Sequence, residues 1–134
     1  TLMNVENVVE TDFEKVTPDM DLGQMVQVIS KAHRNLFPVV DGQGGLLGVV
    51  LLDDIRNIMF RQELYHRFKV ETFMVSPPER VLLTDPMDVV MCKFDNTQAW
   101  NLPVVDAEGK YVGFISKSKI FNSYRQVLVE FSAD

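Results

Sequence analysis

Few residues in this chain could do chemistry on their own. Asp53 and Asp54 are adjacent carboxylates followed by an apolar-periodic stretch, a pattern that suits the N-terminus of a helix. "GQGG" at 42–45 has the composition of a phosphate-cradling loop. Such loops join a strand to a helix, whereas this one lies between two apolar strands and reads as a hairpin turn. His33 and His66 stand alone, without metal-ligand spacing. Cys92 is the single cysteine, falls beside an apolar helix face, and reads as inert. No nucleophile–base pair, carboxylate pair or metal set emerges, so no catalytic residue and no metal site is expected and the chain does not read as an enzyme.

The elements that position these residues come in two copies. Slid once along itself, the sequence lays Pro38-Val39-Val40-Asp41 on Pro103-Val104-Val105-Asp106, Gly44 on Gly109, Gly48 on Gly113, Ile55 on Ile120, Asn57 on Asn122, Glu14 on Glu79 and Val16 on Val81, without a gap. Leu22, Met25, Val26 and Ile29 trace one helix face, and Met87, Val90, Met91 and Phe94 repeat it. Asp21 is placed to cap the first of these helices; Pro86 suits the first turn of the second. Each copy therefore predicts an extended piece near Val16 or Val81, a helix over 21–33 or 86–99, and a hairpin of Phe37–Val40 with Leu46–Leu51 or Leu102–Val105 with Tyr111–Ser116. A closing helix follows, carrying Ile55, Ile58 and Met59 in the first copy. In the second, Ile120, Phe121, Tyr124, Val127, Leu128 and Phe131 make a broad apolar stripe. The expected boundaries are 1–65, a charged and aromatic link to about 69, and 70–134, with "SPP" at 76–78 breaking any helix. One such unit is too small for a comfortable core, so two are expected to pack as one α/β (α+β) domain with pseudo-twofold symmetry. Met25, Met87 and Met91 lie at core phase; Trp100 lies outside the motif and is expected at an edge, a cleft or a dimer contact.

Composition narrows the partners. A net charge of −6 without a basic cluster argues against nucleic acid. No run of about 18 apolar residues offers a membrane span. No signal peptide is visible, and a lone cysteine fits a reducing compartment. The chain opens on Thr1 and reads as a soluble piece of a longer protein.

A helix, then "LPVVD-x-x-G" and a second strand with Gly, then a helix, given twice at this spacing, resembles a tandem CBS-domain pair, or Bateman module. "AWNLPVVD" and "SKSKIFNSYR" in the second copy resemble the C-terminal cytoplasmic region of bacterial ClC-type chloride channels and transporters. That resemblance implies a regulatory module on the cytoplasmic side of the inner membrane, joined to a transmembrane transport domain, homodimeric through its helices, with no cofactor required and ATP, ADP or AMP as regulatory ligand. CBS pairs also occur on other transporters and on nucleotide-metabolism enzymes.

The family's ribose pattern is Gly-h-h-(Thr/Ser)-x-x-Asp, a hydroxyl and a carboxylate sharing the two ribose hydroxyls. Carried onto this chain, the pattern is incomplete in both copies. The first keeps Asp54 but has Leu51 for the hydroxyl; the second keeps Ser116 but has Lys119 for the acid. A lysine cannot accept from a hydroxyl, yet it can meet a phosphate as a point charge. At most one site is thus expected to bind nucleotide well, with Asp54 on the ribose and Lys117, Lys119 or Arg34 toward the phosphates. The resemblance further implies a cleft lined by Val16, Thr17, Phe37, Pro38, Val81, Leu82, Leu102 and Pro103. The competing expectation is a structural dimerisation module that has lost its ligand.

Overall fold

A computed structural model describes residues 3–132. Its elements in chain order are α1 (Val5–Val8), α2 (Leu22–Lys31), β1 (Leu36–Val40), β2 (Leu46–Leu51), α3 (Leu52–Ile55), a 3-10 turn (Gln62–Leu64), α4 (Val70–Phe73), β3 (Val81–Leu82), α5 (Met87–Thr97), β4 (Asn101–Val105), β5 (Tyr111–Ser116) and α6 (Lys117–Ser132). α1 and α4 occupy equivalent positions and belong to the repeat, although the sequence pattern predicts no helix at either. The elements group into two compact units. One takes the chain up to Thr11, Pro78–Glu108 and the chain from Val112; the other takes Asp12–Pro77 with Gly109–Tyr111.

In the unit built mainly from the first repeat, β1 and β2 pair antiparallel, with Phe37 opposite Val50 and Val39 opposite Gly48. Val16 bridges Val39 in parallel on one side, and Val75 bridges Val49 antiparallel on the other. α2 follows the predicted periodicity. Asp21 accepts from the Gln24 backbone N–H (2.8 Å), and the Gln24 side chain accepts from the Asp21 N–H (2.8 Å), a complete capping box. Its buried face, Leu22 and Met25, turns inward, and Met25 joins a core of Val16, Phe37, Val39, Val50, Ile55 and Val70. The segment 61–69, expected as a link, is folded against α2. Leu64 is buried, the Leu22 N–H donates to the Phe68 carbonyl (2.9 Å), and the Tyr65 hydroxyl donates to the Met59 carbonyl (2.7 Å). The closing helix of this repeat is shorter than expected. α3 is four residues long and dissolves into turns, because the chain must bend back toward α2 instead of continuing straight.

In the other unit, β3 runs parallel to β4 and β5 completes the sheet. Glu10 bridges Phe114 on β5, exchanging two backbone hydrogen bonds of 2.8 and 2.9 Å. Val5 and Val8 from α1 are buried with Val81, Val90, Phe94, Leu102, Val104, Ile115 and Ile120. α5 begins with Pro86 as its N-cap, one position outside the first turn the sequence suggested. α6 divides the predicted stripe. Ile120 is fully buried and Val127 half-buried, while Phe121, Tyr124, Leu128 and Phe131 face outward.

The two sheets share one unforeseen feature. Glu10 and Val75 are equivalent positions of the two repeats, and each pairs with the second hairpin strand of the other repeat. The opening segment of each repeat is thus exchanged, so compact units and linear repeats do not coincide. Gly48 and Gly113 make room for the exchanged backbones. A Cβ on Gly48 would lie 2.8 Å from the Val75 carbonyl oxygen, and one on Gly113 would strike the Glu10 carbonyl oxygen. The turn residues recur for their own reason. Gly44 and Gly109 hold positive φ (87° and 81°), and the Asp41 and Asp106 carboxylates accept turn N–H groups at 2.9 Å from Gln43 and Glu108.

Candidate functional site

Each repeat turns from its second hairpin strand directly into a helix, and the residues of the ribose pattern sit at that corner. In the first repeat the Leu52 N–H donates to the Asn35 carbonyl (2.9 Å), tying the start of α3 to the strand beside it. Ile55, fully buried, pins the turn from below. Leu51 is extended, exposed by 39%, and makes no cap. Of the two carboxylates, Asp53 pairs with Arg56. Asp54 is exposed and makes no hydrogen bond or ion pair among the described residues, so both its oxygens remain open to accept from a ligand.

Arg34 is already engaged. Its guanidinium donates from Nε (3.1 Å) and Nη2 (2.8 Å) to Asp12 and lies 4.6 Å from the Phe13 ring centroid. The hydrogen bond from Arg34 holds the Asp12 carboxyl below its ordinary range.

The second corner keeps the backbone and changes the chemistry. The Lys117 N–H donates to the Trp100 carbonyl (2.9 Å), the counterpart of the Leu52–Asn35 bond. Ser116 Oγ accepts from the Lys119 backbone N–H (3.0 Å), so the expected ribose hydroxyl caps α6. Lys117 Nζ lies 5.4 Å from the centroid of the Trp100 ring, and Trp100 is 64% exposed. Lys119 is exposed and makes no ion pair among the described residues.

The expected cleft residues separate by burial. Val16, Phe37, Val81 and Leu102 are core side chains within their own units, and Pro38 and Pro103 are buried beside them. Thr17 is half-buried and Leu82 is 42% exposed, so these two keep surface for a ligand. The Trp100–Lys117 pair escapes motif reading because Trp100 precedes the motif. Its signal is an aromatic beside "NLPVVD" where the first repeat has Asn35. Among the described residues no group of His, Cys, Asp and Glu could hold a metal ion, and no helix is long and apolar enough to cross a membrane.

Comparison with known proteins agrees with the repeat. The chain is 22% identical over 119 residues to a homoserine O-acetyltransferase from Methanococcus vannielii; the match takes in 89% of this chain and 24% of that protein. It thus spans about a quarter of that relative's length. CBSX2, solved in complex with AMP, superposes with a TM-score of 0.74 at 22% identity, covering 92% of this chain and 97% of that one. The cytosolic domain of the Mg2+ channel MgtE, solved in complex with ATP, superposes with a TM-score of 0.71 at 21% identity, covering 86% of this chain and 46% of that one. At these identities the likenesses establish the fold. The CBS domain profile matches residues 5–61 and again 70–125, the same step that relates α1 to α4 and Gly48 to Gly113, and the chain therefore belongs to the CBS-domain family as a tandem pair.

Proposed function

We propose that this CBS pair is a regulatory module that binds an adenine nucleotide, with the ribose hydroxyls donating to Asp54. The observation that carries the reading is the contrast between adjacent carboxylates: Asp53 is held by Arg56, and Asp54 is left open at the position of the family's ribose acid. Relatives of the same fold solved with AMP and with ATP support the ligand class. ATP, ADP and AMP are the candidate ligands, and no catalytic step is assigned to this chain. Binding would act on an attached domain only through different affinities for two arrangements of the module. The wording of "AWNLPVVD" and "SKSKIFNSYR" favours a ClC-type transport domain as the attached partner, with the module on the cytoplasmic side of a membrane.

A thermal-shift series with AMP, ADP and ATP tests this reading. A ligand at 100 times its Kd adds about 2.7 kcal/mol, a rise of roughly 10 °C for a domain of this size. Asp54→Ala should remove most of it. No rise with any of the three at saturating concentration overturns the proposal.

A second reading rests on α6. Phe121, Tyr124, Leu128 and Phe131 are all exposed and follow a three-four-three spacing, the seam of a helix pair. This favours a homodimer, with or without ligand. Sedimentation at tens of micromolar should show dimer for the native chain and monomer for Leu128→Asp; monomer for both removes the reading.

A further inference from the structure

We propose that the groove between α1 and α6 is a separate binding site, unrelated in chemistry to the strand–helix corners, and that it takes a small primary alkylammonium ligand.

The floor of the groove is apolar. Met3 and Val8 are buried there, and Val127 is half-buried. The rim is polar and comes from both sides, Asn7 from α1 and Ser123, Gln126 and Glu130 from α6. The α6 residues stand at i, i+3, i+4 and i+7 and so share one helix face, beside the exposed stripe of Phe121, Tyr124, Leu128 and Phe131. The four rim side chains make no hydrogen bond or ion pair among the described residues. Polar groups that converge over an apolar floor, with nothing spent on one another, can fix a ligand's orientation while the floor takes its body.

The lining selects the ligand's class. Glu130 is its one charged group and offers only acceptors; the Asn7 and Gln126 amide oxygens and the Ser123 hydroxyl add others. Among the described residues the lining holds no cation, so the ligand must bring the positive charge, and an anion would meet Glu130. The lining also holds no aromatic ring, the usual seat of a quaternary ammonium. A primary ammonium instead has three N–H donors to share between the carboxylate and the amide oxygens. A volume of about 210 Å³ is that of about seven waters in the liquid, room for a chain of about five carbons along the floor.

The groove also joins an exchanged element to its host. Val8 is buried in the core of the second repeat, and two residues on Glu10 pairs with Phe114 of β5 through bonds of 2.8 and 2.9 Å. A ligand held by Asn7 on one side and Glu130 on the other therefore tightens the opening segment on the second repeat.

The intact chain is titrated at matched ionic strength with n-pentylammonium, 1-pentanol and pentanoate, and its amide NMR shifts are followed. With the ammonium, shifts at Asn7, Val8, Ser123 and Val127 should saturate with a Kd on the order of 1 mM, within the ceiling for so small a ligand. 1-Pentanol should bind at least about five-fold more weakly for want of the charge-assisted bond, and pentanoate more weakly again. Glu130→Gln should bring the ammonium to within about two-fold of 1-pentanol, with the unliganded unfolding midpoint near that of the native chain. Saturating ammonium should slow hydrogen exchange at Glu10 and Phe114. Asp54→Ala should leave every one of these titrations unchanged, so this site and the nucleotide reading fail separately. No saturable shift, equal binding of 1-pentanol, or an unchanged ammonium Kd in Glu130→Gln overturns the proposal.

Discussion

Gly48→Ala tests the strand exchange with a single methyl group. The added Cβ would lie 2.6 Å from Met74 Cγ and 2.8 Å from the Val75 carbonyl oxygen. Ordinary contacts begin near 3.4 Å. The Met74 side chain can rotate away, but the Val75 carbonyl is backbone. It is held by the Val49 N–H at 2.9 Å, and the Val75 N–H returns a bond to the Val49 carbonyl at 2.8 Å. Relief therefore means lengthening one or both hydrogen bonds, each contributing about 0.5–1.5 kcal/mol net, or accepting overpacking of about 1–3 kcal/mol. A loss of about 2 kcal/mol is expected, about 7 °C in Tm for a domain of this size. Urea unfolding measures the loss, and hydrogen exchange locates it: protection should fall at both Val49 and Val75, which belong to different repeats. Gly42→Ala is the control, since nothing lies within 4 Å of its Cβ and its φ is not positive. Equal midpoints for the two variants, or lost protection confined to 46–51, would refute the exchange as the reason for this glycine.

Further outcomes follow from the same structure. Val8→Ala should cost about 2 kcal/mol, and its hydrogen-exchange effect should appear at Ile115 and Ile120 of the second repeat, not in the first hairpin, because Val8 packs in that core. Asp21→Ala should cost about 1 kcal/mol in urea unfolding by removing the α2 cap. The same carboxyl gives an acid limb. Its pKa is lowered, first by the Gln24 backbone N–H and then by His66. Its contribution is therefore complete above the unfolded value near 4 and is lost as pH falls through the lower folded value. Stability measured from pH 5 to pH 2 should fall less steeply in Asp21→Ala than in the native chain.

The repeat, the capping of α2 and the hairpins were legible because each is local. Hydrophobic phase over 22–29 and 87–94, Asp21 before an apolar run, and Gly44 and Gly109 in their turns each express a nearby backbone requirement. The exchange was not legible because its evidence is a missing side chain. Gly48 and Gly113 read as strand glycines until Val75 and Glu10 are seen passing over them. The ribose positions could be placed by motif, but their state could not. Which of Asp53 and Asp54 is held by Arg56, whether Ser116 Oγ caps its own helix, and whether Arg34 already grips Asp12 depend on contacts no spacing rule supplies. Val16, Phe37, Val81 and Leu102 were legible as apolar residues beside a motif, but that their side chains are buried in the cores of their units is a fact only the packing shows.

Titration calorimetry of AMP into the native chain and into Asp54→Ala tests the central claim most directly. The native chain should bind, and the variant should bind at least about ten-fold more weakly, the loss of roughly 1.4 kcal/mol expected for a charged acceptor removed from two hydroxyls. Equal affinity in the two proteins would contradict the role given to Asp54, and absence of heat with AMP, ADP and ATP alike would contradict the nucleotide-binding module itself.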